Sequence, residues 1–453
     1  MFYAPLAYGC TRPETLPALF VLLIASMVTG VISFAAQRRW PAIPGLTLVC
    51  VAAILLQGWW MTWDPVFPSA DSAYGEWADT SLDNIRRLSF DFMTSTSFLL
   101  GAFVVLCGLF GNANLRRFLL LAATVSGVLI CVIGDVLKYT GEPLMRYIWK
   151  HDDIYWNDFA FYRYHGNAGA FLNLVWPLIL VFTRRAYRPT GTWVGRILWT
   201  LSALACGSAL FLNAAKAAMV IGLLVLPWPF YTLLLRLKQR TLVFLAVGLM
   251  ILIAGALAAF SHFATGAAFQ RITDASGLYA DVSGRWESNR DNLAAVPEAG
   301  WFGLGPGLFQ LAFPYQLSPM RNVGAGMREF AHEDYLQTVL EWGWFGTFWW
   351  SLLVGGGLYR AWKSYARREL FTSKTERHLL LGAILGVCAT LAQSLVEFPL
   401  QIASLRLFFF VLLALCWVSP QLLAMPPANP SPRQRYGLQV PTEEPIKTSS
   451  LSP

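Results

Sequence analysis

The chain alternates long apolar runs with short polar ones. Runs of about 20 mostly apolar residues, the length at which a helix crosses a bilayer, occur near 16–36, 43–61, 92–110, 117–137, 167–183, 193–212, 215–235, 241–261, 343–360, 379–397 and 402–419. The pattern predicts an all-α protein, a polytopic membrane helix bundle of about eleven transmembrane helices (ten to twelve) with one large, partly helical extracytoplasmic loop. The run at 16–36 has no small-residue cleavage site behind it and reads as a retained helix. Trp59, Trp60, Trp63, Trp193, Trp344, Trp349 and Trp350 cluster near run ends, where interfacial aromatics belong. Four regions follow: an N-terminal bundle of about eight spans at 1–261, a loop at 262–342, about three C-terminal spans at 343–420, and a Pro/Ser-rich tail at 421–453 with the composition of disorder.

Composition agrees with a membrane protein. Hydrophobic residues make up 56% of the chain and charged ones 13%, where a soluble chain carries roughly a quarter charged residues. The net charge of +8 is unevenly placed. If the loops holding Arg38/Arg39, Arg116/Arg117, Arg184–Arg196, Arg236–Arg240 and Arg360–Arg377 lie inside with the C-terminal tail, the inner side carries 20 Lys/Arg and 4 Asp/Glu, and the outer side 14 and 22. Basic residues therefore report membrane orientation and not nucleic-acid binding. Three outer loops are long enough for chemistry: 62–91, 138–166 and 262–342. Six of the seven cysteines lie in apolar runs and read as packing residues, without a disulfide framework or a CxxC pair.

The stretch "HEDYLQTVLEWGWFG", from His332 to Gly346, leads into a span. At about 100° per residue, His332, Leu336, Val339 and Gly343 form one stripe, while Glu333, Asp334, Gln337, Thr338 and Glu341 fall opposite. From these residues alone His332 is either a hydrogen-bonded core histidine or a positioned proton acceptor. Upstream, "SGRWESNRDNLAAVPEAGWFGLGPGLF" is helix-compatible between Arg285 and Ala295, with Trp286, Leu293 and Asn289 sharing a face and Arg285 and Asn292 close to it. Pro297 and Gly300 then break the pattern, and Gly303, Gly305 and Gly307 permit a tight turn.

The order of "GRW", "P…GWFGLGPGLF" and "AHEDYLQTVLEWGWFG" in one outer loop resembles the O-antigen ligase and polymerase superfamily of bacterial membrane glycosyltransferases. His332, ten residues and Gly343 match its His-x10-Gly motif. "HGNAGAFLNLVWPL" (165–178) is similar to its Asn-containing span start, and "SLVEFPLQI" (394–402) to its penultimate turn. In "NAAKAAMV", Lys216 and Val220 stand where the family carries Arg and Leu.

The resemblance implies transfer of a glycan from a polyprenyl diphosphate carrier to an acceptor hydroxyl, either on lipid A core sugar (ligase) or on another glycan repeat (polymerase). It implies inversion at the anomeric carbon, no cofactor, no metal and no nucleic-acid partner. It also implies a bacterial inner membrane with the large loop periplasmic and the C-terminus cytoplasmic. Negative charge on the leaving diphosphate then needs preorganised cations. Outer-side candidates are Arg285, Lys216, Arg290, Arg163, Arg321, Arg328 and Arg406, of which Arg285 and Lys216 are the foremost. His332 becomes the candidate base, and Gly343 a point of close approach. Gln393, Glu397 and Arg406 on one side, with His165 and Asn167 on another, are candidate cavity-lining residues, with an ion pair between Glu397 and Arg406 as the structural alternative for those two. His151, Asp152 and Asp153 read as a solvated turn sooner than a metal site. The competing class is a small-solute, bicarbonate-like transporter, which the chain's lack of visible repeat symmetry disfavours.

Overall fold

A computed structural model describes residues 1–36, 41–65, 81–140, 159–225, 275–311, 329–371 and 373–423. The run at 241–261, the second half of 215–235, the His151–Asp153 triplet, Arg321, Arg328 and the tail beyond 423 lie outside the described residues. The helices are α1 (Leu16–Ala36), α2 (Gly45–Trp63), α3 (Leu82–Leu109), α4 (Ala113–Thr140), α5 (His165–Ala186), α6 (Trp193–Leu212), α7 (Lys216–Val225), α8 (Ala275–Ala299), α9 (Asp334–Ala366), α10 (Lys374–Gln393) and α11 (Ala403–Trp417). Among the described residues there is no β-sheet, and seven helices are long and apolar enough to cross a membrane: α1 to α6 and α10. The protein is a helical, multi-pass membrane protein.

Local chemistry explains where several helices start. Ser81, Thr192 and Ser373 each accept a hydrogen bond from the backbone N–H three residues on, capping α3, α6 and α10. Apolar side chains such as Val21, Ile32, Leu56 and Leu201 stay exposed on α1, α2 and α6, as a lipid-facing surface requires. The centre is formed by α5 against α10, α11 against α3, and α9 against α2 and α11. At one end Glu376, 1% exposed in its side chain, is held by Arg116 at 2.8 Å and Arg117 at 2.6 Å, tying α4 to α10.

Three helices clearly outgrow their predicted spans: α3, α4 and α9. At about 1.5 Å per residue, all three exceed a bilayer core of about 30 Å, and the N-terminal turns of α3 and α9 come together. There they build a second core with α8 and the residues after it: Ile85, Ala295, Val296, Leu304, Leu308, Phe309, Val339 and Leu340. Helix α8 keeps Trp286 and Leu293 together on its exposed face. Trp286 and Leu293 are 73% and 60% exposed, while Ser288, Asn292, Ala295 and Ala299 are buried. Trp59 donates to Ser97 Oγ at 3.0 Å, and Trp349 and Trp350 pack against Phe345 and Trp342. Cys388 is the exposed cysteine among otherwise buried ones.

The α9 helix is broken at Gly343, whose φ is 63° and ψ −172°. The break frees backbone groups, and the Gly-rich turn after α8 takes them up. Leu304 and Gly305 N–H donate to the Leu340 and Glu341 carbonyls at 2.9 Å each, and Trp344 and Phe345 N–H donate to the Gly300 and Trp301 carbonyls at 3.2 and 3.0 Å. Gln57 donates to the Trp342 carbonyl at 2.8 Å. Gly343 is thus a point of close approach, and what approaches it is the turn after α8. Its missing side chain admits the backbone of Phe302 and Gly303.

Candidate functional site

The end of the bundle opposite Glu376 gathers the start of α5, the start of α9 and the turn after α10. Asp334 is its anchor. Its N–H donates to the Ser394 carbonyl at 2.9 Å, and its carboxylate accepts from Ser394 Oγ, Leu400 N–H and Gln401 Nε2 at 2.8, 2.9 and 3.1 Å. Burial pushes this carboxyl, which precedes the span, up to about 7 in spite of those donors. Glu333 caps α9 by accepting from Tyr335 and Leu336 N–H.

Beside this anchor sits Glu397, 4% exposed. Arg285 of α8 donates through Nη2 to Glu397 Oε1 at 2.8 Å and through Nη1 to the Val396 carbonyl at 2.5 Å. Tyr164 donates its hydroxyl to Glu397 Oε2 at 2.8 Å, and its ring stacks on Phe398 with centroids 5.5 Å apart. His332 Nδ1 lies 3.7 Å from Glu397 Oε2, beyond hydrogen-bond length but within ion-pair reach of a protonated ring. Burial alone would raise the Glu397 carboxyl, but His332, Arg285 and Tyr164 outweigh it and hold the group below the ordinary glutamate range.

His332 reaches this position by a route the helical stripe does not describe. The helix begins at Asp334, and His332 has a φ of 56°, a left-handed backbone uncommon outside glycine. The chain reverses there and brings the ring edge-on to Phe398, with centroids 4.8 Å apart. Among the described residues Nδ1 is buried without a hydrogen-bond partner, although the side chain as a whole is 33% exposed. The polar face assigned to the far side of the stripe is in fact the buried one. Asp334, Gln337 and Glu341 are each 2% exposed or less, and Gln337 bridges the Ala331 N–H and Glu341.

The other candidates divide. Gln393 is fully engaged, donating to the Gly166 carbonyl and accepting from Asn173, both at 3.0 Å. Asn213 donates to the His165 carbonyl at 2.8 Å and so docks the start of α7, with Lys216 half-buried at its first turn, onto the start of α5. His165 and Asn167 are buried in that first turn of α5. Arg406 does not pair with Glu397: it donates to Thr96 Oγ at 2.9 Å and lies over the Phe92 ring. Arg163 is exposed beside Tyr164, and Arg290 is exposed on α8, about 140° around the helix from Arg285. Arg290 thus does not converge on the same point as Arg285.

Tyr164 and Asp334 carry the junction and were not candidates on sequence. A usable signal existed for Asp334: Asp334, Gln337 and Glu341 repeat at helical spacing just before a span, where polar groups are tolerated only against protein or water. Among the described residues no cluster of His, Cys, Asp and Glu is arranged to hold a metal ion. No family model matches the chain, and no curated protein matches it significantly.

Proposed function

We propose that the protein is a membrane glycosyltransferase of the O-antigen ligase type, with about eleven spans, in the bacterial inner membrane. It moves a glycan from a polyprenyl diphosphate carrier to an acceptor hydroxyl on the outer face. The observation that carries this reading is the joint hold of Glu397 on Arg285 and His332 at one end of the bundle. It puts a cation suited to a diphosphate and a base suited to a hydroxyl around one buried carboxylate.

In this mechanism the acceptor oxygen attacks the anomeric carbon as the bond to the diphosphate oxygen breaks, and the leaving oxygen keeps the electron pair. Arg285 and Lys216 stabilise the charge that develops there. The acceptor proton passes to His332, through Nε2, because Nδ1 is the buried nitrogen and faces Glu397. Glu397 fixes the ring orientation and stabilises the imidazolium that forms. The displacement inverts the anomeric centre.

The test is reconstitution of the purified chain with lipid-linked oligosaccharides from its host, with transfer scored by gel mobility and mass. Transfer by the wild type that His332→Ala abolishes, with donor binding retained, supports the reading. A single glycan added to lipid A core marks a ligase, and chain extension marks a polymerase of the same superfamily. Absence of transfer with every acceptor supplied, together with uptake of bicarbonate into proteoliposomes, would replace the enzyme with a transporter.

A further inference from the structure

Arg285, Asn289 and Asn292 lie at i, i+4 and i+7 on α8, one narrow stripe of the helix. Arg285 ends that stripe at Glu397. Farther along, Asn292 is 0% exposed, and among the described residues neither its Oδ1 nor its Nδ2 has a hydrogen-bond partner. Asn289 Oδ1 is buried and unpartnered as well. Buried amides are rarely left this way, since each unmet group costs about 1–3 kcal/mol.

The surroundings argue against a structural use. Helix α8 runs alongside α9 in the same direction: its Arg285 end meets Glu397 near His332, and the turn after it meets Leu340–Phe345. Toward that second end the stripe is apolar, with Ala295, Val296 and Ala299 in the outer core. An apolar residue at 292 would leave no unmet polar group in this core, whereas an asparagine leaves two.

We infer that Asn292, with Asn289, forms a hydroxyl-binding subsite for the glycan, an inference that rests on the glycosyl-transfer reading. Seven residues of helix place Asn292 about 10 Å from Arg285 along the axis. With the diphosphate at Arg285, the first sugars extend along the stripe past Asn289 to Asn292. An amide suits this task because it both donates to and accepts from a sugar hydroxyl. Access to Asn292 requires α8 to part from α9 at its Arg285 end, since four backbone hydrogen bonds hold the turn after α8 to α9 at the other, and the diphosphate competes with Glu397 for Arg285 as the glycan enters.

The test compares wild type, Asn292→Leu and Asn289→Leu as full-length protein in nanodiscs. The probe is the water-soluble glycan released by mild acid from the host's lipid-linked oligosaccharides. Asn292→Leu is expected to raise the melting temperature without ligand, to lose the stabilisation that the glycan gives the wild type, and to raise the donor KM about 10-fold or more. A lowered melting temperature with unchanged glycan stabilisation would mean a structural amide and overturn the subsite. Absence of glycan stabilisation in the wild type would overturn it too. If the wild type transfers glycan while Asn292→Leu keeps its KM, the subsite fails and the enzyme stands. If the wild type transfers nothing yet is stabilised by glycan through Asn292, the subsite stands and the enzyme fails.

Discussion

Arg285 and Glu397, 112 residues apart in sequence, meet at 2.8 Å and join α8 to the turn that follows α10. The pair gives a cation on a loop helix a fixed place at the end of the bundle. Arg285→Lys keeps the charge but loses the fork that engages Val396 and Glu397 together. Transfer is expected to fall about 100-fold in Arg285→Ala and in Glu397→Gln. The double variant should fall little further, because the two residues act as one unit. Losses that multiply fully would separate the residues and remove Glu397 as the holder of Arg285.

His332 sits on a left-handed backbone, and this separates its fold role from its chemical one. Asn tolerates that conformation better than most residues but has no titratable nitrogen. His332→Asn should therefore melt within a few degrees of the wild type while transfer drops about 100-fold or more. A variant that keeps most of its transfer rate would return His332 to core packing.

The Glu397 carboxyl is held below its ordinary range by His332, Arg285 and Tyr164 against the opposing effect of burial. A group whose folded pKa is depressed contributes stability that is fully present above the unfolded value, about 4.3, and is lost as pH falls through the lower folded value. Melting temperatures of wild type and Glu397→Gln should thus differ by a constant amount from about pH 8 to about pH 5 and converge only below that. Convergence between about pH 7 and pH 6 would mean that burial wins and that the carboxyl is raised.

How far these features were legible in the sequence follows from the physics of each. Span positions were readable because lipid demands long apolar runs, and α1, α2, α5, α6 and α10 begin or end within a few residues of the predicted runs. The first turns of α3 and α9 were not, because their polar residues carry no long apolar run to mark a helix. Arg285, His332 and Glu397 were candidates, but their meeting was invisible: it depends on the chain reversal at His332, a backbone state that composition does not announce. The burial of Asp334 and Glu341 was missed for a related reason. A polar helical face normally means solvent, and only tertiary packing turned this one inward.

Lys216 opens α7 with no hydrogen-bond or ion-pair partner among the described residues. A cation at a helix N-terminus opposes the helix dipole, so it is best satisfied by an anion arriving from outside. Lys216→Gln is expected to raise the donor KM about 10-fold with a smaller change in kcat, and Lys216→Arg to lower it through two-pronged phosphate binding. An unchanged KM in both variants would reduce Lys216 to an interfacial charge.

The contact between Gly303 and Gly343 makes the sharpest stability prediction. A Cβ on Gly343 would stand 2.4 Å from Phe302 N and 2.5 Å from Gly303 N, and its φ of 63° disfavours any side chain. The neighbouring atoms are backbone and cannot swing aside. Four backbone hydrogen bonds between the turn and the broken helix depend on that approach. Gly343→Ala should cost about 2–4 kcal/mol and lower the melting temperature in detergent. Gly303→Ala should do the same, since its Cβ would meet Glu341 C and Gly343 N at 2.5 Å. Gly355 provides the control: it lies in the same α9 with nothing within 4 Å of its Cβ position, so Gly355→Ala should be neutral or slightly stabilising. The turn also sets the path of α8 toward Arg285, so transfer should fall in both damaging variants even at temperatures where they remain folded. Equal melting temperatures for Gly343→Ala and Gly355→Ala would mean that the turn and the broken helix are not locked together, and the placement of Arg285 would then need another support.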